Sequence, residues 1–365
     1  MTAALMTNLK VREMHYPTSR RRMLAAMPCL ITLPAALRPR WSMAQAREKL
    51  VVRLDYTPWG IHAPFHLAQA KGWFAEQGIE PVFDDGNGSV ATVQIVGNGQ
   101  YDLGHASLGP MAIARGRGVP VRSIATLFGQ NDICLLMDKG ARVRRIADLK
   151  GRTVAYTSGS LEAPFIDKFL ASGGLSRADL NLQSVDASAK VGLYANGRVD
   201  GIFSSPTFTL PQFQAQRPAD VIRFADHQLD FLGYGLFATD EAIARRAKVL
   251  GRFASVVAGA WNYIFAGHEE EGVQAIIAAR AQAKLNPEML RGQIEQLRNY
   301  IALPGGQGSP ALSVTATHWQ STLAILGAAR LVPADALAIG YFTNTLLDAE
   351  LVQRIGGKEK AHDRS

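Results

Sequence analysis

Cysteine and long apolar runs are scarce in this sequence. Of its two cysteines, only Cys134 lies beyond residue 46. A single cysteine cannot form an intramolecular disulfide, and its setting in ICLLM (133–137) is typical of a buried strand, where the thiol acts as a small apolar side chain. No run of about 18 apolar residues follows residue 46, so no membrane-spanning helix is predicted there.

Signatures of catalysis, metals and cofactors are also lacking. The chain contains neither HExxH nor GxSxG. His62 and His66 have a spacing that two metal ligands on one helical face could use, but Pro64 disfavours a helix at His62 and no third ligand follows. GNGSVA (86–91) satisfies the dinucleotide pattern GxGxxA, yet it belongs to the second strand–helix unit instead of the first. We therefore predict no catalytic residue, no metal, no cofactor and no enzymatic activity.

Positive charge is concentrated at the N-terminus. The 365 residues carry 39 Lys/Arg and 31 Asp/Glu, a net charge of +8. Residues 1–46 hold seven of the basic residues and one acid, which leaves 32 basic and 30 acidic residues, or +2, for the rest. No basic stripe with interleaved aromatics occurs in that remainder, so nucleic-acid binding is not expected.

The basic N-terminus has the layout of an export signal. TSRRRM (18–23) supplies a positive region and LAAMPCLITLPAAL (24–37) an apolar one, and Ala44-Gln45-Ala46 fits a small-x-small cleavage site. SRRRML also resembles a twin-arginine signal. We expect residues 1–46 to be removed near Ala46 and the product to be periplasmic. The alternative is a disordered basic N-terminus.

Strand and helix patterns alternate from residue 50 to about 240, and residues 241–350 are mainly helical in pattern. The first units are a strand at 50–56, a helix at 64–78 and a strand at 79–83. Such alternation predicts an α/β fold with mostly parallel sheets covered by helices. NGQYDLGHAS (98–107) and NGRVDGIFSS (196–205) also echo each other, which two similar α/β lobes would explain, as would chance.

Serines and rings follow several predicted strands. Ser89, and likewise Ser158-Gly159-Ser160, would place hydroxyls and unpaired amides at helix N-termini, which suits a carboxylate, sulfonate or phosphate. Ordinary helix capping is the alternative. Trp59 and His62 lie in the first strand-to-helix turn, where a planar ligand could stack on the indole and hydrogen-bond to the imidazole. Alternatively, Trp59 simply packs between the lobes.

These segments also carry a resemblance to a known family. LDYTPWGIHAPFHLAQAKGWFAEQGIEPVF (54–83) resembles the opening of the periplasmic solute-binding proteins of the nitrate/sulfonate/thiamine-pyrimidine class. The resemblance extends over roughly residues 50–240, and five further segments are similar to that class: GNGS (86–89), GQYDLGHAS (99–107), GVPVRSIA (118–125), IADLKGRTVAYTSGS (146–160) and NGRVDGIF (196–203).

The resemblance implies a type II periplasmic-binding-protein fold, in which two α/β lobes joined by two crossover strands close on a ligand. Lobe one would comprise residues 47–135 and 236–350, lobe two residues 136–235, and residues 351–365 a polar tail. The ligand-binding residues that the resemblance implies come from turns of both lobes: Asp55, Trp59, His62, Ser89, Ser107, Ser158, Gly159, Ser160, Ser205 and Tyr234.

Members of this class deliver a small molecule to an inner-membrane ABC permease and its ATPase. The resemblance therefore implies a monomeric solute-binding subunit, and the ligand stays open between a thiamine-pyrimidine-type heterocycle and a sulfonate or carboxylate anion. The same fold also hosts an enzyme that makes the thiamine pyrimidine from its own histidine and pyridoxal phosphate. That enzyme's cysteine-rich segment has no counterpart here. A periplasmic ligand sensor is a further alternative.

Overall fold

A computed structural model describes residues 47–303 and 310–357. The predicted export signal (1–46) and the last part of the predicted polar tail lie outside these described residues. No helix within the described ranges has both the length and the apolar character that a bilayer crossing requires.

Two five-stranded sheets organise the fold. The first sheet contains, in spatial order, β2 (Ile79–Asp84), β1 (Glu48–Arg53), β3 (Leu103–Ser107), β10 (Tyr234–Thr239) and β4 (Val121–Thr126). The second contains, in spatial order, β7 (Asn181–Ser184), β6 (Thr153–Tyr156), β8 (Gly201–Ser204), β5 (Cys134–Asp138) and β9 (Ala219–Arg223). In each sheet the fourth strand in this order runs antiparallel to both neighbours. The sheets are therefore mixed, where the sequence alone predicts mostly parallel ones.

The chain crosses between the sheets twice, through residues 127–133 and again through residues 224–233. This arrangement confirms the expected fold of two α/β lobes joined by two crossovers. We call the first sheet with the helices packed on it lobe one, and the second sheet with its helices lobe two. The predicted boundaries at 135/136 and 235/236 fall inside β5 and β10, each of which lies wholly in one sheet.

The helices cover both lobes. Those up to the first crossover are α1 (Ala63–Ala70), α2 (Trp73–Glu76), α3 (Ser89–Gly97) and α4 (Leu108–Gly116). Lobe two contributes α5 (Ile166–Ala171), α6 (Ala187–Ala195) and α7 (Pro206–Phe213). The C-terminal region contributes α8 (Asp240–Ile264), α9 (Glu269–Ala279), α10 (Pro287–Ile301), α11 (Pro310–Ser313), α12 (Ala316–Ala328) and α13 (Ala349–Gly356). The helix predicted at 64–78 is split in two because Gly72 adopts a positive φ of 74°.

Two predictions for the C-terminal region are wrong. The mainly helical pattern of residues 241–350 predicts a helix at 333–348 as well, but turns and a short 3-10 segment occupy those residues. The chain pairs with β4 there: Ser123 donates its amide to the Tyr341 carbonyl and accepts from the Thr343 amide. The predicted polar tail begins with α13, whose Val352 and Ile355 are fully buried against Gly259 of α8. The apolar face of α13 therefore belongs to the core.

The sequence echo has a structural cause. Its two copies contain β3 and β8, which occupy the same place in their respective sheets. The shared aspartates accept equivalent bonds: the Val51 amide donates to Asp102 at 2.7 Å, and the Thr153 amide donates to Asp200 at 2.8 Å. In both lobes an aspartate thus ties one strand to the beginning of its neighbour.

Candidate ligand-binding cleft

A cleft lies between the lobes, at the edge where β1, β3, β6 and β8 end and β10 begins. Its walls come from both lobes, and its volume is about 20 Å³, which is room for roughly one water molecule. The lining residues are Asp55, Tyr56, Trp59, Gly88, Ser89, Ser160, Leu161, Glu162, Lys190, Ser204, Ser205, Phe208 and Tyr234.

The structure brings most of the residues expected at the site to this cleft. Six of them line it: Asp55, Trp59, Ser89, Ser160, Ser205 and Tyr234. His62 and Ser107 are fully buried and are not among the lining residues. Ser158 and Gly159 line a separate open groove with Asn87 and Asp186.

The Ser-Gly-Ser segment does not begin a helix, contrary to expectation. The Ser160 amide donates to the Thr157 carbonyl at 3.1 Å, which closes a turn, and helical structure starts only at Ala163, as a 3-10 segment. The Thr157 amide in turn donates to the carboxylate of Glu162 at 3.4 Å. The turn is therefore held by backbone groups and by the Glu162 carboxylate.

Asp55 forms the centre of a buried hydrogen-bonded cluster. His62 Nε2 donates to its Oδ1 at 2.8 Å and His105 Nδ1 donates to the same oxygen at 3.2 Å. Burial alone would raise the pKa of Asp55, but the bonds from His105 and His62 hold that pKa well below its usual value. Burial lowers the pKa of His105, despite the opposing effect of Asp55. Asp55 is thus an ionised carboxylate at the base of the cleft.

The same three side chains could be considered as metal ligands, because their ligand atoms lie within 4.8 Å of one another. Histidines that bind a metal normally donate their second N–H to an acceptor. Among the described residues, His62 Nδ1 and His105 Nε2 have no hydrogen-bond partner. Metal binding would turn these nitrogens into buried, unpaired donors, so the geometry favours a hydrogen-bonded cluster.

Aromatic rings from both lobes meet in the cleft. The Phe208 ring of lobe two lies edge-on to Trp59 and Tyr56 of lobe one, with centroid distances of 5.3 and 5.1 Å. Trp59 also contacts Tyr234 at 6.1 Å, and Tyr234 stacks on His105 at 5.4 Å. The indole is 1% exposed. Trp59 therefore packs against the opposite lobe, as one alternative for this ring expects, and it also lines the cleft. Stacking of a ligand on the indole stays a prediction.

Sequence reasoning missed a buried ion pair in the cleft wall. Lys190 Nζ donates to Glu162 Oε1 at 2.6 Å, and the two side chains are 2% and 0% exposed. Among the described residues, Glu162 Oε2 has no hydrogen-bond partner. No local pattern marks this pair, because the partners are 28 residues apart and each sits alone in an ordinary turn or helix.

A second acidic group lies behind Ser205. The hydroxyls of Ser205 and Thr207 donate to Asp132 Oδ2. Burial raises the pKa of Asp132, although these two hydroxyls act in the opposite direction. The Ser205 side chain also accepts from the Phe208 amide as the N-cap of α7. Ser205 therefore connects the first crossover to the helix that carries Phe208.

The beginning of α3 is occupied by protein groups. The Val90 and Ala91 amides both donate to the Gly159 carbonyl of lobe two, at 3.1 and 3.4 Å. The Ser89 hydroxyl accepts from the Ser107 amide at 3.1 Å. The Val90 and Ala91 amides are thus used within the protein, where they join the two lobes, and the Ser89 hydroxyl oxygen is bound within lobe one.

The fold is that of the periplasmic binding proteins. It is similar to the alkanesulfonate-binding protein SsuA of Xanthomonas axonopodis bound to MOPS, with a TM-score of 0.62, 15% identity, and coverage of 82% of this chain and 99% of that one. The chain itself belongs to the NMT1/THI5-like family, whose model matches residues 59–271.

Two relatives named for thiamine chemistry are similar in sequence. One is the 4-amino-5-hydroxymethyl-2-methylpyrimidine phosphate synthase THI5 of Saccharomyces cerevisiae, 27% identical over 60% of this chain and 68% of that protein. The other is a Haemophilus influenzae protein named for thiamine biosynthesis, 25% identical over 86% of this chain and 94% of that protein. Together they confirm the resemblance drawn from the sequence motifs.

Proposed function

We propose that this chain is the solute-binding subunit of an ABC importer, exported to the periplasm as a monomer, and that it captures a thiamine-pyrimidine-type heterocycle between its lobes. The lobes part at residues 127–133 and 224–233, admit the ligand and close on it. The closed form is then recognised by the inner-membrane permease, which an ATPase drives. The fold, the family and the names of the relatives support this proposal.

The observation that carries the ligand class is the acidic and aromatic character of the cleft. Asp55 is ionised, and Glu162 Oε2 is a buried acceptor with no partner among the described residues. A ring that carries an amino group would donate to such a carboxylate and stack against the neighbouring indole or phenol. A sulfonate or carboxylate would meet the carboxylates of Asp55 and Glu162 there, because the cation in the lining, Lys190, is already bound to Glu162, and the α3 amides suited to an anion already bind Gly159. The heterocycle is therefore favoured over the anion.

A ligand panel tests this proposal. The chain is unfolded and refolded to strip any ligand, then titrated with 4-amino-5-hydroxymethyl-2-methylpyrimidine, an alkanesulfonate, an aromatic carboxylate and nitrate while its melting temperature is followed. A ligand present at 100 times its Kd adds about 2.7 kcal/mol of stability. We expect that gain with the pyrimidine only. A gain only with the sulfonate or carboxylate would overturn the heterocycle in favour of an anion.

Two variants test whether the pyrimidine binds beside Glu162. Glu162→Gln should weaken pyrimidine binding at least tenfold by removing the charged acceptor. Glu350→Gln is the matched control, because Glu350 is exposed on α13 away from the cleft lining. Equal affinities in the two variants would place the pyrimidine elsewhere.

The synthase remains a second candidate because of its named relatives. Chemistry on a histidine of this chain would require an accessible imidazole, yet His62 and His105 are 0% exposed and both bind Asp55. Incubation with pyridoxal phosphate followed by intact-mass measurement separates the two functions. A binding protein keeps its mass, whereas a synthase that consumes its own histidine loses part of it.

A sensor would use the same cleft without a transporter. Where genes for a permease and an ATPase lie beside the gene for this chain, reconstitution with their products distinguishes the two. Stimulated ATP hydrolysis on addition of the loaded protein supports import, and its absence favours a sensor.

A further inference from the structure

The Phe208 side chain spans the cleft and contacts aromatic rings of the opposite lobe. It comes from the first turn of α7 in lobe two, and its ring reaches across to Tyr56 and Trp59 of lobe one. Both contacts are edge-on, with interplanar angles of 83°. With the ring in place, the cleft retains only about 20 Å³, so the phenyl group fills most of the space in which another ring could contact the indole.

The Phe208 ring lies in a slot between the Trp59 turn and the start of α7, and Gln293 of α10 fixes the width of this slot. Its side-chain Nε2 donates to the Phe208 carbonyl at 2.8 Å, and its Oε1 accepts from the Gly60 amide at 2.9 Å. Gln293 is fully buried, and a Cβ added at Gly60 would lie 2.8 Å from the Gln293 Cβ. One amide thus holds the Trp59 turn and the start of α7 at a set separation whenever the lobes are together.

We infer that Phe208 is a specificity-determining residue, which limits the ligand to a single six-membered ring. This inference rests on the proposed function. A monocyclic heterocycle can take the place of the phenyl group between the lobes once the side chain turns aside. A fused bicyclic ring is larger than the phenyl group that it would replace. The turned side chain of Phe208 and the slot width set by Gln293 leave no room for its second ring. Removing the ring should therefore relax the size limit.

The test compares two ligands that differ by one fused ring, 4-amino-2-methylpyrimidine and 4-amino-2-methylquinazoline. Calorimetry gives the ratio of their Kd values for the refolded full chain, for Phe208→Ala and for Phe265→Ala. Phe265 is the matched control: it is half-buried and stacks on Trp261 at 5.0 Å, outside the cleft lining. Phe208→Leu replaces the alanine variant if that variant does not fold.

We expect the unmodified chain and Phe265→Ala to prefer the pyrimidine at least tenfold, and the preference to fall at least tenfold in Phe208→Ala. If Phe208→Ala keeps the ratio of the unmodified chain, the inference is wrong while the proposed function stands.

A ligand-independent arm uses toluene. Phe208→Ala should leave a ring-sized apolar space beside Trp59 and Tyr56, so toluene should raise its melting temperature and not that of the unmodified chain. If neither heterocycle binds, the proposed function fails, and the toluene measurement still shows whether Phe208 fills a ring-sized space in the slot. Stabilisation of Phe208→Ala alone supports the slot, and no stabilisation overturns it.

Discussion

The buried pair of Glu162 and Lys190 allows a quantitative test of the cleft's electrostatics. Lys190→Met removes the cation and leaves the Glu162 carboxylate, which has a side-chain exposure of 0%, without its ion-pair partner. An unpaired buried charge of this kind destabilises a protein by about 3–5 kcal/mol. At roughly 2–4 °C per kcal/mol, the melting temperature should fall by at least about 6 °C.

An exposed ion pair in the same lobe provides the control. Lys150 Nζ lies 3.8 Å from Asp179, and the two side chains are 75% and 30% exposed. Lys150→Met should cost less than about 1 kcal/mol, because solvent screens such a pair. Differential scanning calorimetry of both variants, at equal protein concentration and without ligand, gives the comparison.

The double variant Glu162→Gln/Lys190→Met separates charge from packing. With the carboxylate neutralised as well, at least about 2 kcal/mol of the loss should return, since the partners of a buried pair are strongly coupled. If Lys190→Met melts no lower than Lys150→Met, the pair is not shielded from solvent and the reasoning fails. If the double variant recovers nothing, the loss came from packing.

Three further predictions concern other parts of the chain. Burial lowers the pKa of His66 to about 3, so below pH 6.5 the unfolded chain binds a proton that the folded chain does not, and the free energy of unfolding should fall by about 2 kcal/mol at pH 5. Urea unfolding at pH 7.5 and 5.0 should show a smaller loss of stability for His66→Leu, and an unchanged loss would contradict this. Gly88 has a φ of 119°, and a Cβ there would lie 2.2 Å from the Gly159 carbonyl oxygen, so Gly88→Ala should keep the lobes apart and weaken ligand binding at least tenfold by calorimetry, whereas Gly99→Ala, which also has a positive φ but open space around it, should bind normally. Ile355→Ala should cost about 2–5 kcal/mol in thermal unfolding, and a change below 0.5 kcal/mol would mean that α13 is not part of the core.

Much of the fold is predictable from the sequence because the information is local. The strands around Val52 and Ile202 are short apolar runs that lie within a few residues of turn signals. The aspartates of the echo recur because both lobes need the same bond to a neighbouring strand. Patterns of this kind can be recognised in the sequence without knowing which strand lies beside them in the sheet.

The missed features depend on distant partners. Residues 341–343 are extended because they pair with β4, which lies far away in the sequence. The α7 helix contains Pro211, which disfavours a helix interior, and its place is set by packing against α10. Lys190 becomes a cleft residue only because Glu162 lies opposite it. For the same reason the candidate site was predictable in its turns and not in its ion pair.

The position of β10 has a consequence for biosynthesis. β10 lies between β3 and β4, so the first sheet lacks an interior strand until residue 239 has been synthesised. All strands of the second sheet are present once Arg223 has emerged. A nascent chain therefore completes the later-starting lobe before the earlier one, against the usual N-terminal-first order. During that interval β3 and β4 expose unpaired edges, where intermolecular pairing is most easily started.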